Sequence, residues 1–220
     1  LVSFADQNGE IQEVLPRDAV NNGSFEDYTI LDNGWQRHAD GWETWPDGEH
    51  YSVHLDGETA GFSDQVLNTY DGEACIKMWG NGSENNLFQT FWDGELSPGT
   101  SLFADAMVQM PTGDPMDDSG YFVLSAKYFT ADWGWLGMDS SVHVRPGNDF
   151  GEADGVDEWV YLDMYGQVPD GTEIVQIGMM LVAAEGTGSI YVDDFNAYVP
   201  LTTTGLFVEY QELAEIGSSF

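Results

Sequence analysis

In the segment TSLFADAMVQM, residues 100–110, apolar side chains recur at every second position: Leu102, Ala104, Ala106, Val108 and Met110. YFVLSAKYF, residues 121–129, repeats the pattern with Phe122, Leu124, Ala126 and Tyr128. Side chains alternate across an extended strand, so a period of two predicts strands that lay one face on a core. Between such runs stand short turn signals, among them NNG, DNG, PDG, LDG, YDG, GNG, WDG, SPG and RPG. Many short alternating strands joined by Gly-rich turns predict an all-β sandwich or barrel, and a single domain of this length is ordinary for that class.

One strand carries a conflict. SIYVDDFNAYV, Ser189 to Val199, is apolar but for adjacent acids near its middle. Strict alternation puts Asp194 with Ile190 and Val192, and Asp193 with Tyr191, Phe195 and Val199. One of the two therefore points at packed apolar surface. A buried unpaired carboxylate costs several kcal/mol, so it must be protonated, paired with a base or bound to a cation.

Bases are scarce. Five Lys and Arg face 39 Asp and Glu, a formal net charge of −34, yet 14% of the chain is aromatic and 42% hydrophobic. Acidic disordered chains are poor in aromatic residues, so a folded protein with an acidic surface is expected. Binding to nucleic acid is disfavoured, because phosphate affinity comes from clustered basic residues and only Arg17, Arg37, Lys77, Lys127 and Arg145 are present. The longest apolar run, residues 174–184, falls short of the ~20 residues that span a bilayer, so no membrane span is expected. Cys75, the one cysteine, has no intrachain partner and is expected as a buried free thiol. A start at Leu1 with no charged-then-apolar leader fits a mature secreted form or an excised fragment.

The expected organisation is an N-terminal extension over 1–20, a domain over 21–200 and a C-terminal extension over 201–220. In the last, LFVEYQELAEI fits a short docked helix or an added edge strand equally.

Taken in order, several segments carry a family resemblance: NNGSFE at the opening, Gly41-Trp42 soon after, DGEACIKM, LFQTF, LSPGTSLFADAMV, DEWVYLDMYGQVPDGTEIVQIGMML and GSIYVDDFNAYV. Over about 180 residues the chain resembles secreted carbohydrate-binding modules with a calcium-stabilised jelly roll, of the type that binds xylan and β-glucan. The resemblance implies a jelly-roll β-sandwich of two antiparallel sheets in which one Ca2+ ties the first strand to the last. Carried onto this chain, it makes the side chains of Glu26, Asp71 and Asp193 and the carbonyls of Ser24 and Ala74 the metal ligands. Calcium takes six to eight hard oxygen donors and accepts such a mixture.

Modules of this type hold pyranose rings on exposed aromatic side chains. The resemblance assigns Trp42 and Trp159 to packing and leaves Trp45, Trp79, Trp92, Trp133 and Trp135 as candidate ligand-binding residues. ADWGWLGMD, with Trp133 and Trp135 in a Gly-rich stretch, is the most suggestive segment.

Catalytic signals are thin. With 39 acids, close carboxylate pairs arise by chance. His38, His50, His54 and His143 show no metal-binding spacing, and no G-x-S-x-G is present. The acidic loops MPTGDPMDDSG and RPGNDFGEADGVDE lack EF-hand spacing, and NGS at Asn22 and Asn81 are glycosylation sequons meaningful only in a eukaryotic secretory host. The expected function is non-catalytic, extracellular binding of a neutral polysaccharide. The alternative is a self-assembling subunit of an extracellular fibre, sheath or surface layer, whose partners are copies of itself.

Overall fold

A computed structural model describes residues 2–5, 11–14, 17–18, 20–46, 50–59, 65–92, 96–117, 119–145, 157–186 and 188–199. It is built from fifteen strands: β1 (Val2–Ala5), β2 (Ile11–Val14), β3 (Arg17–Asp18), β4 (Tyr28–Ile30), β5 (Arg37–Ala39), β6 (Glu43–Trp45), β7 (Tyr51–Leu55), β8 (Ala74–Trp79), β9 (Glu84–Trp92), β10 (Ser101–Gln109), β11 (Tyr121–Phe129), β12 (Trp135–Ser140), β13 (Val160–Gln167), β14 (Ile174–Val182) and β15 (Ser189–Val199). There is no helix among the described residues.

Two antiparallel sheets form a jelly-roll β-sandwich. One runs β13-β10-β15-β8-β7, with β3 pairing the far end of β15; the other runs β12-β11-β14-β9-β6. The period-two expectation holds, since Leu102, Ala104, Ala106, Val108 and Met110 are all buried, as are Phe122, Leu124, Ala126 and Tyr128. They meet Ile177, Met179 and Leu181 of β14 and Ile76 and Met78 of β8 in one core. β3 belongs to the expected N-terminal extension yet pairs Asp18 with Tyr198, so the first sheet reaches back before residue 21. The expected C-terminal extension, 201–220, lies outside the described residues.

The alternation expected for β15 breaks at Asp194. Asp105 pairs with Asn196 but Met107 with Asp193, so two residues of β15 oppose one of β10. Asp194 takes a left-handed φ of 49° within the bulge. Ile190 and Val192 enter the core before the bulge and Phe195 and Ala197 after it, so the inward set moves from even to odd positions. This corrects the expected sharing of a face by Asp193 and Phe195. Asp193 keeps Tyr191's side of the sheet, away from the main core, and Asp194 stands in solvent rather than beside Val192.

The opening segment is tied to this strand. Phe25 packs on Trp42 at 5.3 Å between ring centroids, and Trp42 meets Phe195 edge-on at 5.2 Å. The Trp42 indole donates to the Asn22 carbonyl (3.0 Å), and the Phe195 N–H donates to the Gly23 carbonyl (2.9 Å). A Cβ on Gly23 would fall 1.9 Å from the Phe195 carbonyl oxygen, so this approach needs glycine.

Candidate functional site

The outward face of the second sheet carries an aromatic cleft of about 610 Å³. Its floor comes from the alternate positions of three neighbouring strands: Glu84, Asn86 and Phe88 of β9, Gln176 and Met180 of β14, and Tyr121, Lys127 and Phe129 of β11. Trp45 from the edge strand β6, and Trp133, Trp135 and Met138 from the β11–β12 hairpin, complete the lining. All three tryptophans are about half exposed: Trp45 58%, Trp133 49% and Trp135 58%.

The hairpin is built to hold those rings outward. Thr130 organises it, its N–H donating to the Gly134 carbonyl (2.9 Å), its carbonyl accepting from the Trp133 N–H (3.0 Å) and its hydroxyl accepting from the Gly134 N–H (2.9 Å). The same hydroxyl donates to Asp132 and holds that carboxyl below its usual range. Trp133 sits at φ 64°, and Trp135 opposes Phe129 across a register shift. The Phe129 ring then lies 5.5 Å from both Trp133 and Trp135, giving two platforms one backing.

Below the rings lies a fixed polar group. Lys127 is buried and donates to Glu84 and to the Asn86 side-chain oxygen (2.6 Å). The Asn86 amide in turn donates to Glu84 (3.0 Å) and to the Trp45 carbonyl (3.1 Å), joining floor to wall. Gly178 allows this packing, because a Cβ there would lie 2.1 Å from the Leu87 carbonyl oxygen and 2.9 Å from the Phe88 side chain. Among the described residues Glu84 is the one carboxylate and Lys127 the one cation in the lining, so these charges balance in a protein of net charge −34.

Of the five tryptophans singled out from the sequence, the fold thus brings Trp45, Trp133 and Trp135 together. Trp79 lines a different cleft, on the first sheet. Trp92 closes β9, and its side chain lies outside the described residues. Trp42 is core, and Trp159 packs beside Leu67, Cys75 and Tyr191 in a small second cluster, so both are packing residues as expected. Cys75 is a buried free thiol whose pKa burial pushes well up. Sequence reasoning missed Glu84, Asn86 and Lys127. Their signal was the polar run that opens SENNLFQTF and a lone Lys in YFVLSAKYF.

The acids expected to hold calcium converge on one turn, residues 70–74. Asp193 is 1% exposed. One of its oxygens accepts from the N–H groups of Tyr70 (2.9 Å) and Asp71 (3.1 Å), and the other from its neighbour Asp194 (2.7 Å). Glu26 accepts from the N–H groups of Glu73 (2.8 Å) and Ala74 (3.2 Å). Burial pushes the Asp193 carboxyl up to about 7, although its three N–H donors pull the other way. Asp71 lies in the turn itself and is exposed, as is Ser24 beside Glu26. Among the described residues no three His, Cys, Asp or Glu side chains stand close enough together to form a metal cluster.

No protein-family model matches the sequence, and no curated protein matches it either. Solved structures do match by fold. The CBM22-1 xylan-binding domain from Paenibacillus barcinonensis aligns at a TM-score of 0.50 and 14% identity, over 81% of this chain and 92% of that one. A cyclase from Fischerella sp. TAU in complex with 4-(1H-indol-3-yl)butan-2-one aligns at 0.50 and 14%, over 84% and 98%. A module solved with β-1,4-galactotriose, TmCBM61, aligns at 0.48 and 16%, over 83% and 98%. By the two alignments at 0.50 the chain shares its β-sandwich fold with a xylan-binding domain and with a cyclase.

Proposed function

We propose that this protein is a non-catalytic, extracellular binding module whose cleft at Trp45, Trp133 and Trp135 takes a neutral polysaccharide. The carrying observation is the half-exposed tryptophan set over the Glu84–Lys127–Asn86 floor. Apolar faces of a pyranose stack on indole rings, while its hydroxyls need donors and acceptors held in place, and the floor supplies both. Local neutrality favours an uncharged chain, since a polyanion meets the field of 34 excess negative charges. Glu84, the carboxylate of the lining among the described residues, is paired with Lys127 and so serves as a fixed hydrogen-bonding group for sugar hydroxyls in this reading. Titrating xylohexaose while following tryptophan fluorescence tests the reading. A saturable change that disappears in Trp133→Ala/Trp135→Ala supports it.

Calcium belongs to the same proposal. Glu26 and Asp193 reach from the two ends of the domain to the turn that carries Asp71, the donor set is all oxygen, and among the described residues the buried carboxyl of Asp193 is met by N–H groups and by no base. With the carbonyls of Ser24 and Ala74, these residues would hold the ion, which would supply positive charge where the chain supplies none and staple the opening segment to β15.

Self-assembly is a second reading with one observation in its favour. Among the described residues β12 is the edge strand of its sheet, and it exposes Trp135, Leu136 and Met138, a surface suited to strand addition. Light scattering on the protein with and without residues 201–220 checks it: assembly that vanishes on truncation supports this reading, and a monomer in both forms rejects it.

A further inference from the structure

The first sheet carries a cleft of its own, of about 750 Å³, opening from the opposite side of the sandwich. On β7 and β8 the side chains turned from the core are Ser52, His54, Lys77 and Trp79, and Trp35 joins them from the turn before β5. Trp35 is 60% exposed and its turn is fixed by Asn33, whose side-chain oxygen accepts from the N–H groups of Trp35 (3.2 Å) and Gln36 (3.0 Å).

Two of the five basic residues of the chain stand here, each beside an acid. Arg37 grips Glu58 through both terminal nitrogens (2.9 and 3.0 Å), and Glu58 is held further by the Leu55 N–H (3.0 Å). Lys77 lies 3.7 Å from Asp114, which also accepts from the Ser189 hydroxyl (2.8 Å). The Lys77 ammonium is set 5.9 Å from the Trp79 ring and 5.8 Å from the Tyr191 ring, so its position is fixed by aromatic faces as well. Two cation–carboxylate pairs beside two tryptophans match the needs of a polyol: each pair offers a donor and an acceptor side by side, as neighbouring hydroxyls require, and the indoles offer apolar platforms. Among the described residues two cations and two carboxylates balance in the lining, and burial lowers the pKa of His54, the remaining titratable group there.

We propose that the cleft of Trp35, Trp79, Lys77 and Asp114 is a second saccharide site, for neutral sugar units, on the opposite sheet. It rests on the reading of the protein as a polysaccharide-binding module and makes that module two-sided, able to hold two chains or two stretches of one.

Indole N–H signals in ¹H–¹⁵N spectra, assigned by single Trp replacements, separate the two sites. The probes are xylohexaose, cellohexaose and mannohexaose. The expected result is saturable shifts of the Trp35 and Trp79 signals that persist in Trp133→Ala/Trp135→Ala. Trp35→Ala, at an exposed ring whose loss leaves the core intact, should weaken the affinity read from the Trp79 signal by roughly 2- to 10-fold. Shifts confined to Trp45, Trp133 and Trp135 overturn the second site and leave the first standing. Shifts confined to Trp35 and Trp79 support the second site and reject the first. No shift with any of the three sugars overturns both.

Discussion

Asp193 and Glu26 hold the same turn from opposite ends, one accepting from the N–H groups of Tyr70 and Asp71, the other from those of Glu73 and Ala74. They lie at the two ends of the domain's sequence, so the turn is where its opening segment and its closing strand are locked together. If a calcium ion joins them, filling the site relieves their repulsion and stabilises only the folded chain. At a free concentration 100 times the dissociation constant this amounts to about 2.7 kcal/mol. For a chain of this size that is a shift of about 5–10 °C. Differential scanning calorimetry in chelator and in millimolar calcium, at matched ionic strength, should show it. Asp193→Ala should melt lower and ignore chelator, whereas the exposed Asp194→Ala should keep the response.

The pH dependence of the metal-free protein follows from the same residue. The Asp193 carboxyl has a folded value of about 7 against an ordinary 3.8. Between those values the folded state retains a proton that the unfolded chain has released. The stabilisation is full below about pH 4 and is lost as pH rises through about 7. In chelator, the melting temperature of the wild type should therefore fall over this window more than that of Asp193→Asn. Parallel profiles for the two proteins would show that Asp193 does not titrate there.

Gly72 adds a backbone test. It sits at φ 61°, and a Cβ there would lie 1.9 Å from Glu26 Oε1. Gly72→Ala must both strain the turn and displace Glu26 from the N–H groups of Glu73 and Ala74. A loss of about 1–3 kcal/mol by urea unfolding is expected. The same change at Gly171, whose φ is 84° with open space around it, should cost less because only the strain remains.

Much of this was legible in the chain, and the exceptions have physical causes. Period-two patterns located the inward faces of β10 and β11, and the burial of one acid in β15 followed from alternation. Which neighbours that acid keeps did not follow, because the bulge at Asp194 depends on pairing with β10 and on the close approach of Gly23 to Phe195. The tryptophans were visible as residues, but their grouping depends on sheet order. Trp45 and Trp135 sit on opposite edges of one sheet and face the same way, while Trp79 lies on the other sheet. Glu84, Asn86 and Lys127 resembled solvated outer positions. They become a floor only because β14 separates β9 from β11 and keeps the three within reach across it.

The polar floor has its own expected effect. Lys127→Met should leave the three indoles in place but release Glu84 and Asn86. Affinity for a neutral oligosaccharide should then fall further than stability does: the buried Asn86 oxygen loses a donor, which lowers the melting temperature, but Glu84, whose side chain is 39% exposed, is partly rehydrated. Isothermal titration beside calorimetric unfolding separates the two. An equal loss of both would make Lys127 structural only.

The most direct measurement is affinity electrophoresis of the wild type, Trp45→Ala and Trp133→Ala/Trp135→Ala through gels containing xylan, β-glucan, agarose or mannan. Retardation of the wild type in at least one gel is predicted, with each lost platform weakening retention by roughly 0.5–1.5 kcal/mol beyond area burial. Wild-type mobility unchanged in all four gels, or full retardation persisting after the tryptophans are removed, would contradict the assignment of this cleft as the sugar-binding face.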